Sequence, residues 1–185
     1  DTVEKVYDGS SRIAGLDLDY NKQTADVRIA DDLFIVGAGN FTVQEARVEV
    51  IGGVEKTIYD NDRHVGEGKR VDINLALRGN DARNYKLSNN KYINNVGKIE
   101  QLDSVQWIGQ NEGVWSNPNN WAGGAIPDRN NVANIVIPNG RLTVYDSPQF
   151  GVSSSAINNQ GTIRFVASQN FDFANSVSGI GNIEQ

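Results

Sequence analysis

GRLTVYDSPQFGVSSSAINNQGTIRF, residues 140–165, decides the fold of the carboxyl-terminal part of this chain. Its opening, GRLTV, returns as GTIRF at 161–165 and again as GNIEQ at 181–185, at intervals of 21 and 20 residues. A repeat of this length, with one glycine turn and an alternating strand, is typical of the coils of a parallel β-solenoid. A branched apolar residue stands two positions after each glycine: Leu142, Ile163 and Ile183.

These branched residues predict the inward face of a short solenoid, which Val144 and Phe165 continue. A second small β-sandwich is the alternative fold for this half of the chain. The motif INNQGTIRF (157–165) also has a counterpart upstream, INNVGKIEQ (93–101). Either the upstream strand enters the solenoid as an additional coil, or Asn-rich turns before strands simply look alike. We favour the second interpretation.

All three tryptophans lie just upstream of the repeats. GVWSNPNNWAGGAIPDRNN (113–131) contains Trp115 and Trp121, and Trp107 precedes it. Rings this large in turn-forming sequence form either a ligand platform or a cover over exposed core. Because the end of a solenoid exposes apolar side chains and unpaired strand edges, it needs such a cover. We therefore expect a buried tryptophan cap before the first coil, with an exposed sugar-stacking platform as the alternative.

The first half of the chain reads as short strands separated by turn signals. RVDINLAL (70–77) alternates with Val71, Ile73, Leu75 and Leu77 on one face. ARVEVIG (46–52) alternates through Val48 and Val50, and GLDLDY (15–20) alternates through Leu16, Leu18 and Tyr20. Seven to nine such strands in about 100 residues predict an antiparallel, Ig-like β-sandwich. The whole chain is therefore expected to be all-β.

The charge distribution places a domain boundary near residue 101. Residues 1–100 contain 31 of the 40 charged side chains, whereas all four prolines and all three tryptophans follow residue 101. We expect a sandwich domain over 1–101, and a cap with a solenoid over 102–185.

Composition limits the chemistry that this chain can perform. It has no cysteine, no methionine and a single histidine, His64, so thiolate metal sites and disulfides are excluded. A net charge of −6 argues against nucleic acid or an anionic membrane as partner. No apolar run is long enough to span a bilayer. The chain begins at Asp1 without Met or a signal peptide, and we expect it to be a piece of a longer protein.

Two acidic turns are candidate calcium sites, since hard cations prefer six to eight oxygen ligands. The first turn offers Asp17, Asp19, Asn21 and Asp26. The second turn offers Asp60, Asn61, Asp62 and Glu67. The first turn lacks the glycine and the terminal glutamate of a complete calcium loop, and Asp and Asn are favoured in turns for their own backbone bonds. We therefore predict no metal site and no cofactor.

No catalytic residue is predicted. His64 has no Ser or Cys partner at a recognisable spacing, so we interpret it as a loop histidine. Tyr85 follows Asp81 by four positions and precedes Leu87 by two, which is the spacing of a tyrosine corner. We interpret Tyr85 as structural, because its phenol would bond to upstream backbone.

Four segments of the first half, which span most of residues 1–100 in order, resemble the YDG-type repeat domain of large secreted bacterial exoproteins of the filamentous-haemagglutinin, two-partner-secretion kind. They are KVYDGSS (5–11), HVGEGKRV (64–71), LRGNDARNYKL (77–87) and VGKIE (96–100). GVWSNPNNWAGGAIPDRNNVANIVIP (113–138) is similar to the segment that opens the β-helical regions of such adhesins.

The resemblance implies a non-catalytic structural or spacer segment of a surface adhesin, located outside the cell or in a biofilm matrix. Its partners would be neighbouring domains of a longer exoprotein. The alternative function is a module that binds an extracellular polysaccharide or host glycan, with Trp115, Trp121 or surface tyrosines stacking on the sugars.

Overall fold

The structure, a computed structural model, describes residues 2–20, 22, 25, 27–28, 30–146, 155–166 and 170–185. The described residues form strands with three short 3₁₀ helices, Ala82–Asn84, Pro118–Asn120 and Ala122–Gly124. The all-β fold class is confirmed. The chain divides into two compact units, one of residues 1–3 and 11–98 and the other of residues 4–10 and 99–185.

The described part of residues 1–100 contains seven strands: β1 (Val3–Val6), β2 (Arg12–Leu18), β3 (Phe34–Thr42), β4 (Arg47–Ile51), β5 (Val54–Ile58), β6 (Gly66–Arg78) and β7 (Lys91–Glu100). Five of them form one sheet in the order β1-β7-β6-β3-β2, in which β3 pairs antiparallel with β2 and with β6. The remaining two, β4 and β5, form an antiparallel hairpin. Residues 93–100 of the INNVGKIEQ motif therefore lie in β7 of the five-stranded sheet and form no solenoid coil, which agrees with the favoured interpretation.

One face of the five-stranded sheet is apolar, because its strands alternate as the sequence predicts. Val71 and Ile73 of β6 are fully buried, and Leu75 and Leu77 continue the same face with partial exposure. Phe41 of β3, which pairs with Val71, is fully buried as well. These side chains, with Val3, Ile13 and Leu33, form the core of the first unit.

The hairpin β4–β5 departs from the expected burial. Val48 and Val50 alternate along β4, but they are 63% and 68% exposed. The alternation correctly predicts the strand, yet it does not bury these valines, because β4 and β5 pair only with each other in a two-stranded sheet.

Eight strands follow in the second unit: β8 (Leu102–Gln106), β9 (Glu112–Val114), β10 (Val132–Ile137), β11 (Leu142–Tyr145), β12 (Ala156–Asn159), β13 (Thr162–Phe165), β14 (Ser176–Ser178) and β15 (Asn182–Glu184). They form two parallel sheets, β14-β12-β10-β8 and β15-β13-β11-β9. Consecutive strands alternate between the sheets, so each pair of strands makes one coil. The second half is a parallel β-solenoid of four described coils, and not a second sandwich.

The register of the second parallel sheet corrects the predicted inward face. Ile163 pairs with Thr143 and with Ile183, so Leu142 is aligned with Thr162 and not with Ile163. Thr143 and Tyr145 are buried, whereas Leu142 and Val144 are only partly buried. Because side chains alternate between the two faces of a strand, a shift of one residue exchanges the inward-facing side chains with the outward-facing ones. The interval of 21 residues from Gly140 to Gly161 carries this extra residue.

The first coil begins earlier than the repeats indicate. Gly113 of β9 pairs with Thr143, thirty residues later, whereas the following coils repeat after about twenty. The extra residues form the two 3₁₀ helices that flank Trp121. Trp107 and Trp115 therefore belong to the first coil itself and do not precede it, which corrects their predicted position.

The second unit is discontinuous in sequence. Residues 4–10 belong to it although the sequence analysis assigns them to a domain over 1–101. Within this unit, the Tyr7 amide donates to the Glu100 carbonyl at 2.9 Å. The division between the two units falls inside β1 and β7.

Candidate functional site

The three tryptophans pack on one another inside the first coil. Trp121 meets Trp107 edge-on with ring centroids 5.0 Å apart, and meets Trp115 at 4.8 Å. Each side chain is only 1–2% exposed. The indole of Trp121 donates to the Trp115 carbonyl at 2.8 Å, and that of Trp115 donates to the Pro127 carbonyl at 3.0 Å. The predicted burial is confirmed, and the alternative sugar-stacking platform is wrong, because buried rings offer no face to a ligand.

The aromatic packing continues along the solenoid axis. Trp115 contacts Tyr145 of the next coil at 5.2 Å, and Tyr145 contacts Phe165 of the third coil at 5.5 Å. Phe173 lies 4.8 Å from Phe165. Burial, together with the nearby carboxylates of Asp146 and Asp128, raises the pKa of Tyr145. A column of rings therefore runs from the first coil to the third coil and to the segment that follows it.

The YDG motif at 7–9 packs against the loop that follows Trp121, a role that sequence reasoning missed. Tyr7 is 1% exposed, and its hydroxyl donates to the Ile126 carbonyl at 2.8 Å. Gly9 has a φ of +79°, and an added Cβ would lie 2.9 Å from the Gly124 carbonyl carbon. A glycine is required here both for the left-handed backbone and for the close approach.

Asp8 stabilises the turn that presents this motif. Its carboxylate accepts hydrogen bonds from Lys5 Nζ at 2.6 Å and from the Ser10 amide at 2.9 Å. Burial alone would raise the pKa of Asp8, but these bonds and the Lys5 charge lower it. Each residue of the motif thus has a structural partner within the second unit. The motif itself was the sequence signal for this structural role, but no local sequence pattern identifies the distant residues that it contacts.

Tyr85 lies in the first unit, where its hydroxyl donates to the Asp31 carboxylate at 2.5 Å. The same oxygen accepts at 3.1 Å from the backbone amide of Arg28, which is 57 residues upstream, so the phenol bonds to upstream backbone but not to the local backbone that a tyrosine corner uses. The acceptor bond to Asp31 raises the pKa of Tyr85. Asp81 has its own partner, because its carboxylate accepts from the Asp32 amide at 2.8 Å.

The second acidic turn is committed to ion pairs. Asp60 accepts two hydrogen bonds from Arg47, at 2.7 and 3.0 Å, and Asp62 accepts from Lys69 Nζ at 2.5 Å. Burial alone would raise the pKa of Asp62, but the bonds from Lys69 and from the His64 amide lower it. Glu67 lies 3.5 Å from Lys98, and Asn61 forms a backbone bridge to Thr42. These carboxylates therefore neutralise cations of the protein itself.

The first acidic turn is only partly described. Asp17 and Asp19 lie at a cleft of about 560 Å³ in the first unit, which Leu16, Leu18 and Tyr92 also line. Asn21 and Asp26 lie outside the described residues. Among the residues that the structure does describe, no group of three His, Asp or Glu side chains is arranged to hold a metal ion.

His64 follows Asp62 in a turn, and its backbone amide donates to the Asp62 carboxylate at 3.0 Å. This bond accounts for the position of the residue without invoking chemistry at its ring. Within the described ranges, no helix is long and apolar enough to cross a membrane.

No family model, curated protein or solved structure matches the chain.

Proposed function

We propose that this chain is a non-catalytic structural segment of a secreted bacterial surface adhesin, located at the cell surface or in the biofilm matrix. In this role it would hold the parts of a longer exoprotein apart and carry tension between them. Three features support the proposal: the resemblance of residues 5–100 to YDG-type domains, the parallel β-solenoid of the second unit, and the sealed first coil.

The observation that carries the proposal is the sealed first coil of the solenoid. At the first coil, Trp107, Trp115 and Trp121 are buried and seal the core. Buried side chains then continue from coil to coil, as Thr143 and Ile163 do in one column. A solenoid with such a packed core is suited to be a rigid spacer, whose partners are the neighbouring parts of a longer protein.

The interior of the solenoid is suited to bear load. Backbone ladders join the strands of neighbouring coils, and buried side chains stack in columns, such as Val105, Ile135 and Ile157. Each buried side chain is shielded from water only while the coils remain stacked. Extension of the chain therefore requires the ladder and the core to break together.

Single-molecule pulling by atomic-force microscopy tests this role. The intact chain is placed between reference domains and stretched. We expect force peaks separated by about 70 Å, the extended length of roughly twenty residues. Trp121→Ala should lower the first force peak, whereas an exposed change in the same unit, Ile180→Ser, should leave it unchanged. Extension without a force peak would contradict the load-bearing role.

The proposed location has its own test. An antibody raised against the folded chain should label producing cells that have not been permeabilised, or the matrix around them. Labelling that appears only after permeabilisation would place the protein inside the cell and exclude the adhesin role.

A further inference from the structure

A groove of about 370 Å³ crosses three coils of the solenoid, at the corner where each coil turns from one parallel sheet into the other. We call it the corner groove. It is lined by three successive turns, residues 139–142, 160–162 and 180–182. It lies wholly within the second unit, and none of the residues singled out from the sequence as a ligand contact lines it.

Glycines make the floor of the corner groove. An added Cβ on Gly161 would lie 2.6 Å from the Pro138 carbonyl oxygen, and one on Gly181 would lie 2.7 Å from Asn159 Cγ. Both distances are shorter than real Cβ contacts, so close stacking of the coils requires glycine at the corner. The same requirement leaves the floor without side chains, and a ligand can approach the backbone there.

The walls of the groove carry one amide side chain from each coil: Asn139, Gln160 and Asn182. Each amide offers both donors and an acceptor, which is the combination that sugar hydroxyls require. Asn139 and Asn182 are exposed, and the Gln160 amide nitrogen donates to Asn158 at 2.7 Å, which fixes its orientation. Ile180, 90% exposed, adds an apolar surface at the last coil.

Arg141 gives the corner groove a positive charge. Its guanidinium contacts the Asn111 side-chain oxygen at 3.4 Å, and in the described part of the chain no carboxylate lies within ion-pair distance of it. The groove lining contains no Asp or Glu. In a protein of net charge −6, a cation without a carboxylate partner in a groove of amides favours an anionic ligand. The planar guanidinium fork matches a carboxylate in particular.

We propose that the corner groove binds an acidic polysaccharide, a chain of sugars that carry carboxylate groups. Arg141 pairs with a uronate carboxylate, and the three amides, spaced one coil apart, bond to hydroxyls of successive sugars. Ile180 packs against an apolar face of a ring. This binding goes beyond the structural role proposed above. The two proposals are independent, because a spacer segment needs no ligand of its own.

Calorimetry with the intact chain tests the proposal, with oligomers of galacturonate, alginate and hyaluronan as probes and malto-oligosaccharide as the neutral control. We expect saturable binding to at least one acidic oligomer, weaker binding at high salt because a charge pair is screened, and no binding to the neutral oligomer. Arg141→Gln should weaken the affinity about tenfold or more, the effect of losing a charge-assisted hydrogen bond.

The matched control is Arg83→Gln, which removes the same charge from an exposed residue of the first unit and should leave affinity within about twofold of the original. Asn139→Asp, which places a negative charge in the groove that repels the ligand carboxylates and competes for Arg141, should also weaken binding. Unchanged tryptophan emission and circular dichroism confirm that each variant is folded. Three results would each overturn the proposal: no binding to any acidic oligomer, equal binding of the neutral oligomer, or an unchanged affinity after Arg141→Gln.

Discussion

At the scale of single residues, the strongest constraints on residue type lie where the backbone is crowded or a charged side chain is buried. Gly9 approaches Gly124 across more than a hundred positions of sequence, and Lys69, only 8% exposed, is paired with Asp62. Neither constraint is visible in the hydrophobic pattern. Both come from the physical cost of crowding an atom or leaving a charge unpaired.

Gly9→Ala should destabilise the second unit strongly. A residue with a Cβ is disfavoured in the left-handed backbone of Gly9, and the added methyl group meets the Gly124 carbonyl, so the two costs add. The matched control is Gly123→Ala, because Gly123 has a similar φ of +66° but nothing within 4 Å of an added Cβ. We expect about 1–2 kcal/mol for the control and about 1–3 kcal/mol more for Gly9→Ala. Urea unfolding measures both; equal losses would show that Gly124 is not a close neighbour.

Asp62 should make the first unit sensitive to acid. Its pKa is lowered in the folded state, so its contribution to stability is complete above the ordinary value of 3.8 and is lost as pH falls through the lower folded pKa. Asp62→Asn should cost about 1–3 kcal/mol at neutral pH and should flatten the dependence of the unfolding free energy on pH below 4. The control is the exposed ion pair that contains Asp60, and Asp60→Asn should cause a much smaller loss of unfolding free energy. An unchanged pH profile after Asp62→Asn would contradict this assignment.

At the scale of elements, the solenoid is determined by columns of side chains rather than by any one strand. Gly113, Thr143, Ile163 and Ile183 occupy successive levels of one column. Thr143 is fully buried, and its hydroxyl has no hydrogen-bond partner among the described residues. A hydroxyl buried without a partner destabilises the column that contains it.

Thr143→Val should therefore stabilise the solenoid. Valine has the same shape and removes the unsatisfied hydroxyl, for an expected gain of about 1 kcal/mol. Thr162→Val, in the adjacent and partly exposed column, should change stability by less than about 0.5 kcal/mol. Thermal and urea unfolding of the second unit compare the two variants. The opposite ranking would mean that the column of Leu142 and Thr162, and not the column of Thr143, faces the core.

At the scale of the whole molecule, the aromatic residues are distributed unequally between the units. All three tryptophans lie in the second unit, inside its first coil, and the rings that continue their column belong to the same unit. Tryptophan emission is therefore a reporter of the second unit alone, whereas circular dichroism reports strands of both.

The native protein should show blue-shifted tryptophan emission with little quenching by acrylamide, because each ring is 1–2% exposed. Free N-acetyltryptophanamide gives the reference for full exposure. Ile135→Ala, a change in the buried core of the same unit, should lower the urea midpoint of the emission shift, with a loss of about 2–5 kcal/mol. Quenching close to that of the free reference would show that the tryptophans are not buried.

The sequence by itself determined the local features of this protein. Period-two alternation predicts the buried face of β6, and the recurrence of glycine before an alternating strand predicts the parallel coils, because both patterns need only a few neighbouring residues. The clustering of tryptophans in turn-forming sequence likewise predicts a buried cap. The spacing around Tyr85 identifies a structural phenol.

Tertiary structure alone decided the register, the partners and the groove. One residue between Gly140 and Gly161 exchanges the inward and outward faces of β11, and only the pairing of Thr143 with Ile163 reveals it. Residues 4–10 join the second unit through contacts with residues 100 and 124–126, which no local pattern records. The corner groove exists only when three turns stack, since its amides and Arg141 lie on separate coils about twenty residues apart in sequence.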